Sequence, residues 1–277
     1  MCYFIAYLSE RLSSQTARVY LSGIRLLHLE HGHGDPFQQA DLLKYVLNGL
    51  QRSQTSHSHP RQPVTVSILR QLKASLQAHC YLNRFDKRLL WSAFTLAFYG
   101  FLRGGELTCP SATQFNPARH LSMYDVTVSN STLNLTIKAS KTDQFGKSVT
   151  RIIPATRTST CPVKAMQQYL QLRKCRGYGP LFMWHSGRYL TREALSRTLK
   201  ELVERAGWNS SSFSSHSFRI GAATTAAATG LPDWLIQSLG RWKSDSYLRY
   251  IRTPSASLED AAITMARAAR ISFPKGM

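Results

Sequence analysis

Residues 87–102 are apolar nearly all round (Leu89, Leu90, Trp91, Phe94, Leu96, Ala97, Phe98, Phe101), and Arg103 follows at once. A helix with no polar face has nothing to offer water, so it must run through the centre of a core. The arginine at its end is framed by Gly100, Gly104 and Gly105. Such a cation is costly to bury unless its guanidinium meets a planar anion. The residues leave two partners open: Glu106, three positions on, or an anion from outside the chain.

The 277 residues suffice for one or two domains with a full core. Hydrophobic content of 43% and aromatic content of 10% exclude disorder as the main state. No apolar run approaches the roughly 18 residues that span a bilayer. Met1–Leu8 is apolar but has neither a basic leader nor a small-residue cleavage site, so no signal peptide is expected. The five cysteines (Cys2, Cys80, Cys109, Cys161, Cys175) are widely spread, with no metal-ligand spacing, and free thiols in a reducing compartment are expected. Lys and Arg total 35 against 15 Asp and Glu, a net charge of +20. The excess is spread along the chain rather than held in a tail. A polyanion bound through its phosphates, DNA or RNA, answers that charge better than a membrane, because no basic amphipathic helix dominates.

Helical spacing runs through residues 3–51. Ala17, Leu21, Ile24 and Leu27 or His28 share a face after a Ser13-Ser14 cap, Gly32–Pro36 interrupts, and a further helix covers about Asp41 to Leu50. The polar stretch 52–63, with Pro60 and Pro63, reads as a linker. Thr65 then caps a helix carrying Ile68, Leu69, Leu72 and Leu76. Three strand-like runs follow at Met123–Val128, Leu133–Ala139 and Val149–Ile153, the last two flanking a hairpin loop, Ser140–Gly146. Pro162 opens a helix that ends at Gly177, and Leu195, Leu199, Leu202 and Ala206 line another stopped by Gly207. Beyond Ser214, helices are expected at about 215–229, 232–239, 244–251 and 257–270. The fold class is therefore mainly α with a small antiparallel β-sheet.

Three segments carry chemistry. Gly100–Leu107 holds Arg103 and Glu106. In Ser215–Ala222, His216 and Arg219 are neighbours at a helix start, where backbone N–H groups favour an anion. In Leu239–Arg252, Tyr247 and Tyr250 lie a turn apart among Arg241, Lys243, Arg249 and Arg252. Core packing is the preferred reading for Tyr247. A phenol among cations is a better nucleophile, because its phenolate is stabilised.

The order Arg, hairpin Lys, His-x-x-Arg, Gly-Arg-Trp, Tyr resembles the tyrosine recombinase (phage-integrase-type) family over roughly residues 65–254. The resemblance is weaker for the N-terminal helices, which are similar to the family's core-binding domain. Phe101–Leu107, Ser140–Lys147 and Gly240–Arg252 look most like the recombinases of eukaryotic DIRS-type and Crypton mobile elements. The resemblance implies a core-binding, DNA-clamping domain at 1–51, a linker at 52–63, and at 64–277 a catalytic domain of the DNA breaking-rejoining enzyme fold. The first part is shorter than usual, as though a first helix were missing.

The chemistry implied is cleavage and rejoining of DNA through a covalent 3′-phosphotyrosine, with no metal, cofactor or ATP. Arg103 and Arg219 match the two arginines that grip the scissile phosphate, and His216 matches the family histidine. Tyr250, ten residues after Gly240, matches the nucleophile. Lys141 best matches the lysine that protonates the leaving oxygen, with Lys138 and Lys147 beside it. Relatives place His or Trp just after the glycine equivalent to Gly240. Here Arg241 stands there and Trp242 follows; either could bind the phosphate, and Trp242 is favoured. Glu106 would orient the cations. Arg18, Arg25, Lys138, Lys147, Lys243 and Arg252 are the implied DNA contacts. The implied partner is double-stranded DNA, bound by a homotetramer in the synaptic complex and by a monomer or dimer otherwise, in the nucleus, with no membrane. The C-terminal helix would dock on a neighbouring protomer. A catalytically silent DNA-binding descendant of a mobile element is the alternative from another class; a type IB topoisomerase fits the order of residues less well.

Overall fold

The computed structural model describes residues 2–38, 40–54, 60–138, 148–253 and 255–267. The chain divides into two compact units, Met1–His59 and Pro60–Met277.

The first unit is three helices: α1 (Cys2–Ser9), α2 (Ser14–Glu30) and α3 (Asp41–Ser53). Ser13 caps α2 by accepting the Thr16 N–H at 3.2 Å. Ile5, Leu8, Ala17, Leu21, Leu43, Leu47 and Leu50 form its small core. Gln54 closes the bundle with one amide: its Nε2 donates to Ser9 O at 3.0 Å and Leu12 O at 2.9 Å, and its Oε1 accepts the Ser14 N–H at 2.7 Å. Of Leu27 and His28, the two left open for the end of this face, Leu27 is exposed and His28 half-buried.

The second unit opens with α4 (Val66–Ala78), capped by Thr65. Next comes α5 (Arg84–Tyr99), whose residues from Leu89 to Phe98 are all buried. This is the helix with no polar face, and α4, α7 (Pro162–Arg173) and α9 (Ser217–Ala228) pack against it. Between α5 and α7 come the single turn α6 (Gly104–Leu107) and an antiparallel sheet of order β1-β2-β3: Val126–Val128, Thr132–Ile137 and Val149–Pro154. Leu133, Leu135 and Ile137 alternate inward along β2, as a half-buried strand requires. The remaining helices are α8 (Arg192–Arg205), α10 (Asp233–Gly240) and α11 (Ser255–Arg267). Among the described residues no helix is long and apolar enough to cross a membrane.

Several boundaries differ from the sequence reading. Met123–Asp125 is a 3₁₀ turn, because the Asp125 carboxylate takes the Ser122 N–H and hydroxyl, both at 2.7 Å. Within 52–63, Arg52 and Ser53 finish α3 and the Gln62 N–H donates to Ser212 O at 2.9 Å; just beyond, the Val64 N–H donates to Ser217 O at 2.9 Å. The expected helix at 244–251 is a 3₁₀ helix, Asp245–Tyr250. The hairpin loop carrying Lys141 and Lys147 lies outside the described residues, as do the last positions of the expected C-terminal helix.

Candidate active site

Beyond α5 the chain turns sharply. Phe101 takes a left-handed conformation, φ +51°, which costs a bulky residue about 1–2 kcal/mol. Its carbonyl thereby faces the Arg219 guanidinium and accepts from Nη1. Arg103 then starts α6. The Glu106 carboxylate takes the Arg103 backbone N–H at 2.9 Å and its Nη1 at 3.1 Å. Of the two partners open for Arg103, the internal one is present, but it is shared. Arg241 Nη2 reaches the same carboxylate at 2.7 Å. Gly104 lets this turn approach α9, since a Cβ there would lie 2.7 Å from Ser215 Oγ.

His216 is the N-cap of α9, and Arg219 sits one turn in, completely buried. Arg219 Nη2 donates to Gly240 O. Burial first, then the neighbouring Arg103, pushes its pKa down to about 10, which leaves it cationic at neutral pH. Burial also lowers the His216 pKa, helped by Arg219, Arg103, Arg192 and Arg252. The imidazole is therefore neutral at neutral pH and can accept a proton.

The end of α10 supplies the rest. Arg241 is left-handed, φ +56°, where glycine is usual. Its N–H donates to Ser238 O at 3.1 Å and that of Trp242 to Gln237 O at 3.0 Å, a turn that sends the two side chains apart. The Arg241 side chain goes to Glu106. The Trp242 ring lies so close over Gly240 that a Cβ there would overlap it at 1.6 Å. Arg219 Cζ stands 4.3 Å from the centroid of the indole. The Tyr250 ring is 5.0 Å from both the His216 and Trp242 rings, and Arg219 Cζ lies 5.6 Å over it. Tyr247 also touches Trp242, at 6.3 Å, but it is buried. Its phenol pKa is raised by burial, then by the hydrogen bond and charge of Asp233 and the charge of Asp245.

Arg103 and Arg241 thus share one carboxylate, with Arg219 held nearby by two backbone carbonyls, beside a neutral histidine and a phenol. Arg219 Nε, Arg241 Nε, Trp242 Nε1 and Arg252 Nε are buried with no acceptor among the described residues. Unpaired buried donors at a cationic site call for an anion with several oxygens. A cleft of about 1090 Å³ adjoins the site, lined by Gly105, Arg188, Arg192 and Arg197 among others. Among the described residues no three His, Cys, Asp or Glu side chains are grouped to hold a metal.

The expected DNA contacts fare unevenly. Lys243 is exposed. Arg252 is near His216, its Nη1 donating to Arg249 O at 2.8 Å. Arg18 is exposed and donates to Asn48 at 3.3 Å. Two of these cations already have an acidic neighbour within the chain. Arg25 pairs with Asp35, and Lys138 pairs with Asp125 at 2.7 Å while donating to Pro117 O. Sequence reasoning missed Arg151 and Arg192. The signal for Arg151 was available: it shares strand parity with the buried Ile153, so a guanidinium points to the inner side of β3.

A model of the phage integrase family matches residues 106–254, more than half of the sequence. The chain belongs to the phage integrase family. The integrase/recombinase XerD homolog of Selenomonas ruminantium is 23% identical over 257 residues, 90% of this chain and 71% of that protein. The Tn1549 transposon integrase, solved in complex with transposon right end DNA, superposes with a TM-score of 0.60 at 16% identity, over 95% of this chain and 83% of that one. The XerH site-specific recombinase, solved after cleavage of its difH substrate, gives 0.55 at 17% identity over 75% of this chain. The chain spans about half the length of XerH, 54%. At these identities the superpositions establish the fold: this member of the phage integrase family has the tyrosine recombinase catalytic fold, helical with a small antiparallel sheet.

Proposed function

We propose that this protein is a site-specific DNA recombinase that cleaves and rejoins strands through a covalent 3′-phosphotyrosine on Tyr250. The observation that carries the reading is the shell of cations and buried unpaired donors around that phenol. Arg103 and Arg219 bind the non-bridging oxygens of a phosphodiester, where charge builds up in the transition state. Trp242 Nε1 adds a donor. Arg241, engaged by Glu106, holds the carboxylate and with it Arg103.

The Tyr250 oxygen attacks phosphorus and its proton passes to the neutral His216. The bond to the 5′ oxygen breaks, and Lys141 protonates that oxygen as it leaves. The ester energy is kept in the phosphotyrosine, so a second 5′-hydroxyl reverses the step without ATP. Tyr247 is a poor rival, because burial and then its acidic neighbours disfavour the phenolate.

Residues 1–51 form the core-binding half of a clamp on double-stranded DNA, and residues 64–277 the catalytic half. In the synaptic complex the protein is a tetramer. The exposed Leu258, Ile263 and Met265 of α11 dock on the next protomer. The wording of its motifs, most like that of DIRS-type and Crypton elements, supports a eukaryotic mobile element as its source and a nuclear DNA substrate. The test is a nicked duplex that traps the covalent product. A protein–DNA band lost in Tyr250→Phe supports the enzyme, and a mobility shift without such a band supports a silent binding module.

A further inference from the structure

We propose that Arg151 is a positioning residue, its guanidinium tying β3 to the α10 turn that presents Arg241 and Trp242. The backbone accounting at the end of α10 supports this directly. The last four carbonyls of a helix lack intrahelical partners. Here Gln237 O takes the Trp242 N–H, Ser238 O takes the Arg241 N–H, and Gly240 O takes Arg219 Nη2. Leu239 O takes Arg151 Nη2 at 2.9 Å and has no other donor among the described residues, while Arg151 Nη1 reaches Ser238 O at 3.4 Å.

Two guanidinium groups thus sit on the negative end of one helix, Arg151 from the sheet and Arg219 from α9. Arg151 pairs across the ladder with Leu135 of β2. The β2–β3 hairpin is also the one whose loop carries Lys141, so its stem and the Trp242 turn share a fastening. Burial, then the nearby Arg241, lowers the Arg151 pKa. A lysine in its place has a single nitrogen and cannot span two carbonyls.

The catalytic consequence rests on the function proposed above; the fastening itself does not. Full-length Arg151→Met and Arg151→Lys are compared with the parent by amide hydrogen exchange over residues 239–243. In Arg151→Met the Arg241 and Trp242 amides exchange about tenfold faster or more, and in Arg151→Lys by less, with α9 unchanged. Exchange equal to the parent in both variants overturns the inference. The same proteins are then given a pool of nicked duplexes of randomised sequence. Single-turnover cleavage at saturating DNA falls about tenfold with Kd unchanged. A weaker Kd with an unchanged rate overturns positioning in favour of direct DNA contact. Faster exchange in the variants, with no covalent adduct from the parent, keeps the fastening and removes the strand-cleavage reading.

Discussion

The guanidinium of Arg219 stands over the indole of Trp242, 4.3 Å from Cζ to the ring centroid. A buried cation on an aromatic face gains about 2 kcal/mol when both are desolvated. The Tyr250 ring stands 5.0 Å from the Trp242 ring, and the indole N–H is buried with no acceptor among the described residues.

Trp242→Phe keeps an aromatic ring near Arg219 but removes the N–H together with part of the indole's packing volume. Losing one oriented donor of this kind slows chemistry by about 10²–10³. Single-turnover cleavage of nicked DNA should fall by that order while duplex affinity stays as it was. A rate within about threefold of the parent would mean that the indole N–H never meets the phosphate.

Gly240→Ala tests the same contact sterically. The new Cβ would overlap the Trp242 ring, so the indole must leave its place. Overpacking of this kind costs about 1–3 kcal/mol in denaturant unfolding. The change should also abolish cleavage more completely than Trp242→Phe does, because the Arg219 guanidinium loses its cover as well.

Glu106 is the carboxylate between Arg103 and Arg241, and its side chain is only 4% exposed. Glu106→Gln leaves two guanidinium groups facing each other without a counter-charge, a loss of about 3–5 kcal/mol in urea unfolding. Adding Arg241→Met should return a good part of that loss. Simple additivity of the two changes would show that they do not share the contact.

Stability should depend on His216 in a defined direction. Its folded pKa lies below the ordinary 6.5, because burial and four arginines disfavour the charged ring. The unfolded chain then binds the proton more readily. Stability is complete above about pH 6.5 and declines as pH falls below it. Melting curves of the parent and His216→Gln should converge in acid and part as pH rises to neutral. Parallel curves across that range would put the ring in water.

Much of this was legible in the sequence because it is local. The all-round apolar pattern gives α5, the Ser13 and Thr65 hydroxyls give two helix starts, and Gly207 gives a stop. Arg103, His216, Arg219 and Trp242 were legible because order along the chain carries them. The rest depends on partners far away. Net charge describes the chain as a whole and says nothing of Asp35 beside Arg25 or Asp125 beside Lys138. Arg151 acts only through carbonyls of α10, which no periodicity brings near it. The 3₁₀ form of 245–250 also escapes a helical reading, yet it is what turns both tyrosines to the same side of Trp242.

The most direct measurement is the mass of the peptide that carries DNA after trapping on a nicked duplex and digestion. A nucleotide on Tyr250, with Tyr247→Phe still reactive, is the expected result. A nucleotide on Tyr247, or on any residue remote from Arg103 and Arg219, contradicts the active site described here.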